Sequence, residues 1–239
     1  MPYYSYGYYG DFLANNIYCI LLIPVFLLSI WAQFQVSGNF RRYSEKTNRR
    51  YITGAQAAEA VLRAHGVYDV NIRSCRGNLT DHYNPKDNTI YLSEPVYHAA
   101  TIAAVGVACH EAGHAVQYAM GYGPIRIRNA IIPATQFGSK FSFILLLIGL
   151  LLYSQPLFLL GIVLFSLTTV FQLITLPVEF NASRRAIETI EGQGLLYEDE
   201  IGGAKKVLRA AAMTYVAALA TSIANLLRLI SIVNRNDRR

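Results

Sequence analysis

The chain has 239 residues, of which 53% are hydrophobic and only 15% are charged. This composition and a mean hydropathy of +0.28 indicate a membrane protein. The net charge of +6 does not point to nucleic acid, because no nucleic-acid-binding motif is visible and the basic residues cluster beside apolar runs. The three cysteines, Cys19, Cys75 and Cys109, are dispersed and odd in number, which argues against a disulfide framework and for a reducing compartment.

The first apolar run covers residues 17–34, which is long enough to span a bilayer with Pro24 as a tolerated kink. It is not a cleaved signal peptide, because residues 1–11 contain no Lys or Arg and no cleavage pattern follows the run. Five basic residues follow it: Arg41, Arg42, Lys46, Arg49 and Arg50. We therefore expect the N-terminus outside and the next segment in the cytoplasm, with anionic membrane lipid as a partner of the basic residues.

Residues 36–130 predict a small cytoplasmic α+β domain. Its predicted elements are a helix after Thr53 with Gln56 as capping-box partner, strands at 70–73 and 89–93, a short helix after Ser93, and a long buried helix at 99–120.

The long helix carries the motif His110-Glu111-Ala112-Gly113-His114. On a helix, His110 and His114 lie one turn apart on the same face, so both imidazoles can reach one metal ion, and Glu111 can act as a general base. The alternative is a surface helix with two solvated histidines. The surrounding Ala, Val, Gly and Cys residues argue against it, because buried histidines need a partner or a metal. Cys109 points to another side of the helix and is interpreted as core packing.

Two further apolar runs, at 131–153 and 157–176, are separated by Ser154-Gln155-Pro156 and predict a transmembrane helical hairpin. Pro177 then predicts the start of a new helix. A weaker run at 211–233 contains several polar residues. The basic tail after it favours three spans with the last helix cytoplasmic or interfacial, although four spans stay open.

Catalytic zinc sites usually have three protein ligands, and Glu179 is the candidate third ligand. The hairpin leaves the cytoplasmic side and returns to it, so Glu179 emerges on the same side of the membrane as the two motif histidines. An alternative is that Glu179 is a carboxylate favoured by the N-terminus of its helix. The remaining histidines, His65, His82 and His98, have ordinary interpretations as surface or hydrogen-bonded side chains.

The strand formed by Thr89, Ile90, Tyr91, Leu92 and Ser93 directly precedes the motif helix. A free strand edge can pair with an extended peptide through main-chain hydrogen bonds. We therefore expect these residues to form an edge that holds a substrate, and the alternative is an ordinary strand of the sheet.

The chain resembles the YugP-type membrane zinc metallopeptidases over nearly its whole length. The matching segments are 21–33, 53–62, 79–97, 103–118 and 177–186. The layout is also similar to gluzincin membrane proteases such as HtpX and the CAAX prenyl endopeptidases, which implies Glu179 as the third zinc ligand. At position 183 those relatives have an Asp that orients a zinc histidine, whereas this chain has Ser183, a neutral hydrogen-bonding group.

Together these features predict a mainly α membrane protein with three or four transmembrane helices and a small α+β, zincin-like cytoplasmic domain. The predicted segments are 1–35, 36–130, 131–177 and 178–239. Arg184, Arg185 and His82 are candidate transition-state donors, although the arginines have an alternative role as interfacial charges and His82 as part of a loop network.

The predicted function is a membrane-embedded zinc endopeptidase with one Zn²⁺ per chain, acting in the cytoplasm on a peptide or a membrane protein. A zinc-binding scaffold or adaptor without peptidase activity is the alternative, and the intact Glu111 argues against it, because a structural zinc site needs no general base. A zinc hydrolase of a non-peptide bond is a third hypothesis.

Overall fold

The structure is a computed structural model that describes the backbone of residues 5–236 and the side chains of residues 20–233. The helices in this part of the chain are α1 (Ser5–Ser44), α2 (Gly54–Ala64), α3 (Glu94–Tyr97), α4 (Ile102–Ala119), α5 (Gly123–Leu151), α6 (Gln155–Gly192) and α7 (Glu198–Asn236). The strands are β1 (Asn71–Cys75), β2 (His82–Asn84) and β3 (Thr89–Ser93). The chain is thus mainly helical with one small sheet.

Among the described residues, four helices are long and apolar enough to cross a membrane: Ile20–Ser44, Gly123–Leu151, Gln155–Gly192 and Glu198–Val233. Four helices therefore qualify as spans, whereas the sequence favoured three. The polar residues of the run at 211–233 do not interrupt α7, because several of them bond to a carbonyl of the preceding turn. Asn225 Nδ2 donates to Thr221 O at 3.0 Å, and Thr214 Oγ1 donates to Ala211 O at 2.6 Å.

The chain forms two compact units. One contains the chain up to Trp31, Ala130–Leu173 and the chain from Tyr215 onward, and it holds the predicted hairpin of α5 and α6. The other contains Ala32–Asn129 and Ile174–Thr214. The division into four consecutive segments at residues 35, 130 and 177 stays a prediction.

Pro177 lies inside α6 and does not begin a new helix, so this prediction was wrong. Proline removes one backbone hydrogen bond, yet long helices tolerate it where neighbouring groups pack closely around it. Here the turns after Pro177 are held in the core, with Val178 and Ala182 fully buried. Glu179 therefore lies far from the N-terminus of its helix, and the helix-dipole interpretation of its position is removed.

In the second unit the three strands are ordered β1-β3-β2. β3 pairs in parallel with β1 from Thr89 to Ser93, and it pairs antiparallel with β2 through Tyr91, Ile90 and Thr89. The boundaries predicted for the strand at 89–93 are confirmed, but its role as a free edge was wrong. Strands on both sides occupy its main-chain groups, so β3 is the buried centre of the sheet and β2 is one of its edges.

Helix α2 of this unit begins where its capping residue predicts. Thr53 Oγ1 accepts from Gln56 N, and Thr53 N donates to Gln56 Oε1 at 2.9 Å, which is the predicted capping box. α4 occupies residues 102–119 of the predicted 99–120, and its Ala- and Val-rich faces pack in the main core with α2 and β3. Cys109 is fully buried there, and burial raises the pKa of its thiol, as expected for a packing residue. The side chain of Cys19 lies outside the described residues.

Gly113, inside the motif, allows α4 to approach α6 closely. A Cβ atom at this position would lie 2.8 Å from the carbonyl oxygen of Ala182. Because the obstacle is helix backbone, it cannot rotate away as a side chain would. Glu179 and Ser183 lie one turn apart on α6, on either side of Ala182 in the sequence. The close crossing therefore brings both side chains against the motif histidines.

We expect Gly113→Ala to lower the free energy of unfolding by about 1–3 kcal/mol, because overpacking forces the two helices apart. Thermal unfolding of the purified protein in detergent measures this change. Gly202→Ala is the matched control, since a Cβ on Gly202 of α7 meets no atom within 4 Å and alanine favours the helix. Equal stability of Gly113→Ala and the native protein would show that the crossing has room to spare.

Candidate metal centre

Three side chains of the second unit converge at the crossing of α4 and α6: His110, His114 and Glu179. Glu179 Oε2 lies 3.2 Å from His110 Nε2 and 3.5 Å from His114 Nε2. One donor atom from each of the three residues lies within 4.8 Å of the other two. Glu179 and His114 are buried and His110 is half-buried, so their polar atoms need each other or a cation.

The spacing of these atoms suits a tetrahedral zinc ion. Zinc bonds of about 2.0–2.1 Å in tetrahedral geometry place neighbouring donors roughly 3.3 Å apart. The two distances from Glu179 Oε2 to the imidazoles, 3.2 and 3.5 Å, agree with that value. Two neutral imidazoles and one carboxylate are also a donor set that catalytic zinc sites use. The residues present therefore fit the metal, and they could hold one ion.

Each imidazole is held by its second nitrogen, so that Nε2 faces Glu179. His110 Nδ1 lies 3.1 Å from Ser183 Oγ, and His114 Nδ1 lies 3.1 Å from Gln117 Oε1. The Gln117 amide donates through Nε2 to Val178 O at 2.8 Å, so its Oε1 is left to accept from His114. A proton on Nδ1 leaves the Nε2 lone pair available for a metal ion.

The negative charge of Glu179 also makes this place attractive for a cation. Burial lowers the pKa of His114, but the hydrogen bond with Glu179 and the charge of that carboxylate raise it, and the net pKa lies above its usual value. The Glu179 carboxylate that favours a bound proton on His114 also favours a bound metal ion there, because both are positively charged. A proton and a metal ion therefore compete for His114.

Glu111 lies beside this cluster, and a hydrogen bond from the sheet holds its side chain. Its Oε2 accepts a hydrogen bond of 3.1 Å from the backbone N–H of Tyr83 in β2. Because Tyr83 N points to Glu111, this N–H is on the free side of the edge strand. Asp81, just before β2, accepts from Ser93 N at 2.7 Å and from Ser93 Oγ, which fixes where β2 begins. Burial and the nearby Glu111 raise the pKa of Asp81, although its hydrogen bonds with Ser93 oppose this.

Residues 18–234 match the family described as "Putative neutral zinc metallopeptidase". The chain belongs to this family. It is 47% identical over 216 residues to "Putative membrane protease YugP" of Bacillus subtilis (strain 168), an alignment that covers 90% of this chain and 96% of that protein. No solved structure matches the chain significantly. The resemblance to YugP-type metallopeptidases is thereby confirmed, and with the four apolar helices it makes the chain a membrane protein.

Three residues predicted as transition-state donors do not reach the cluster. Arg184 is exposed and pairs with Glu188 at 3.8 Å, and Arg185 Nε donates to Asn181 Oδ1 at 2.9 Å. His82 is exposed and stacks on Tyr91 with 5.1 Å between ring centroids. These contacts fit the alternatives of surface charge and loop network. Arg185 also reaches the C-terminal end of the motif helix, where its Nη1 donates to Met120 Sδ at 3.3 Å.

Two polar residues that contact the cluster were not predicted from the sequence. Gln117 is one turn beyond His114 and fully buried, a position that could have signalled its role. Arg128 lies just before the apolar run at 131–153, where a basic residue fits a membrane edge, yet its Nη1 donates to Glu179 Oε1 at 3.2 Å. No pattern in the sequence connects Arg128 with a residue 51 positions away.

We expect Gln117→Leu to weaken metal binding by about 10- to 100-fold, the usual cost of removing a group that orients a ligand. The change removes the acceptor for His114 Nδ1–H and leaves the size of the side chain similar. Competition with a chromophoric zinc chelator measures the affinity. Gln193→Leu is the control, because Gln193 is exposed at the end of α6. An unchanged affinity in Gln117→Leu would mean that packing alone orients His114.

Proposed function

We propose that the chain is a zinc-dependent endopeptidase of the membrane, with His110, His114 and Glu179 holding one zinc ion and Glu111 as general base. The observation that carries the proposal is the convergence of His110 Nε2, His114 Nε2 and Glu179 Oε2 at tetrahedral spacing, with Glu111 on the next position of the helix. Membership of a zinc metallopeptidase family supports the same chemistry.

Zinc, when bound, supplies the Lewis acidity that makes water nucleophilic near neutral pH. The protein's own residues then move the proton. Glu111 Oε2 is held by Tyr83 N–H, and no other hydrogen bond to the Glu111 side chain is present among the described residues, so Oε1 is available to take a proton from water. Glu111 passes that proton to the leaving amine, which would otherwise depart as an unstable anion.

We assign the substrate-binding edge to β2 in place of β3. The main-chain groups of Tyr83 lie on the free side of β2, with the N–H donated to Glu111 and the carbonyl facing the same way, whereas β3 is paired on both sides. An extended peptide lying along β2 would donate a main-chain N–H to the Tyr83 carbonyl, because the Tyr83 N–H is already bonded to Glu111, and it would place its own carbonyl beside Glu111. The partner implied is a peptide or an unfolded segment of a membrane protein, recognised mainly through its backbone.

The test of the proposed function is metal content together with hydrolysis. Purified protein should contain about one zinc per chain and should cleave an unstructured protein substrate, and a chelator should abolish that cleavage. Readdition of zinc should restore it. Stoichiometric zinc without any cleavage product would favour the scaffold alternative, and cleavage of an ester but no peptide would favour a non-peptide hydrolase.

We also propose that the metal centre faces the cytoplasm, with the N-terminus outside. The basic residues after the first span support this orientation, because they are retained on the cytoplasmic side. The connection between α5 and α6 then lies outside.

Cysteine labelling tests the orientation. In a variant that retains only Cys75, which is half-buried in the second unit, a membrane-impermeant maleimide should react only after the cells are permeabilised. In a cysteine-free background, Tyr153→Cys should react in intact cells, because Tyr153 lies between α5 and α6 and is 94% exposed. The reverse pattern of labelling would place the metal centre outside.

A further inference from the structure

The two oxygens of the Glu179 carboxylate have separate partners. Oε2 faces both imidazoles, at 3.2 Å from His110 Nε2 and 3.5 Å from His114 Nε2. Oε1 faces the other way and accepts a hydrogen bond of 3.2 Å from Arg128 Nη1. The carboxylate is therefore divided between a metal-facing oxygen and an oxygen held by a cation.

This division has a consequence for coordination, because a carboxylate can bind a metal ion through one oxygen or through both. A catalytic zinc ion needs three protein donors and one open position for water or substrate. If both oxygens of Glu179 bound the ion, the second oxygen would occupy the position that the reaction uses.

We propose that Arg128 is a positioning residue that keeps Glu179 a one-oxygen ligand and thereby keeps the fourth coordination position open. The inference rests on the proposed metal centre. Arg128 does not touch the reacting atoms in this proposal; it acts only through Glu179 Oε1.

The surroundings of Arg128 support a dedicated role. Glu179 is almost fully buried, so the charge-assisted hydrogen bond from Arg128 is little screened by solvent. The Nε atom of Arg128 is buried without a hydrogen-bond partner among the described residues, which is an energetic cost. The hydrogen bond from Nη1 of the same guanidinium to Glu179 explains why Arg128 is held in a place where its Nε–H has no partner.

Arg128 also completes a pattern around the three ligands. Ser183 Oγ contacts His110 Nδ1, Gln117 Oε1 contacts His114 Nδ1, and Arg128 Nη1 contacts Glu179 Oε1. Each proposed ligand thus has one further side chain on the atom that faces away from the metal position. For His114 this contact selects the tautomer, because Gln117 Oε1 can only accept; for His110 the Ser183 hydroxyl holds the ring; for the carboxylate the contact fixes which oxygen is free.

Cobalt substitution tests the proposal, because the visible absorption of Co²⁺ is strong in four-coordinate sites and weakens as the coordination number rises. We compare the native protein with Arg128→Met, which removes every donor, and with Arg128→Lys, which keeps one cation. Arg126→Met is the matched control on the same helix, since Arg126 is exposed.

We expect that Arg128→Met still binds one cobalt ion per chain, its visible absorption falls, and the zinc-loaded form loses activity by about 10- to 100-fold. Arg128→Lys recovers part of the absorption, and Arg126→Met resembles the native protein. A native, four-coordinate spectrum in Arg128→Met would overturn the role of Arg128 and leave the metal centre intact, whereas no cobalt binding by the native protein would overturn the proposed function itself.

A second measurement needs no variant and covers the case in which Arg128→Met does not fold. X-ray absorption of the zinc-loaded native protein reports the number and distances of the zinc ligands. We expect four ligands and one carboxylate oxygen at about 2.0–2.2 Å. Two carboxylate oxygens at bonding distance would overturn the proposal.

Discussion

We expect Glu111→Gln to keep its zinc and to lose the proposed peptide hydrolysis. The substitution preserves the size of the side chain and an oxygen that can accept from Tyr83 N–H, which lies 3.1 Å from Glu111 Oε2. The amide cannot take a proton from water or deliver one to the leaving amine. Because general acid–base catalysis contributes about 10²–10⁴-fold, we expect the turnover rate to fall by at least that factor. Quantified cleavage of an unstructured protein, with zinc content measured on the same samples, checks both halves of this expectation.

Glu59→Gln is the matched control for this variant. Glu59 is exposed on α2 and forms an ion pair with Arg63 at 2.5 Å, so the change removes one carboxylate away from the metal centre. We expect its activity and zinc content to equal those of the native protein. Full activity in Glu111→Gln would exclude Glu111 as the general base and would require another proton acceptor near the zinc position. Loss of zinc in Glu111→Gln would instead indicate a structural role.

Features that depend on neighbouring residues could be predicted from the sequence. The capping box at Thr53, the strand at 89–93 and the motif helix all follow from side chains within a few positions, because capping groups and hydrophobic periodicity act locally. The same holds for His110 and His114, whose common face is set by the helix period alone. Glu179 was reached by a different argument, from the number of membrane crossings between it and the motif.

Features that depend on packing between distant elements could not be predicted. β2 has only three residues between turn signals, and its pairing with β3 is what makes it a strand. That same pairing converts the predicted edge into the centre of the sheet. Arg128 resembled any basic residue near a membrane surface, and its contact with Glu179 exists only because α5 and α6 approach each other near their cytoplasmic ends in the proposed orientation. Local patterns hold no information about such contacts.

We expect Glu179→Ala to weaken metal binding more than any other single change proposed. The carboxylate supplies the only negative charge among the three proposed ligands, and it lies within 3.5 Å of both imidazoles. Its removal leaves two imidazoles at a site that needs three protein donors, and it leaves Arg128 without its acidic partner, so that an uncompensated positive charge repels the zinc ion. We expect the zinc content after dialysis to fall from about one per chain to near zero.

Glu188→Ala provides the comparison, because Glu188 is on the same helix, is exposed and pairs only with Arg184 among the described residues. Its zinc content should stay at the native level, as elemental analysis of both variants after identical dialysis will report. Zinc retained by Glu179→Ala would mean that a different residue completes the site, and the convergence at the crossing of α4 and α6 would then reflect buried hydrogen bonding alone. Zinc absent from the native protein as well would remove the metal from the proposal, because the two imidazoles and the carboxylate can also satisfy one another by sharing a proton.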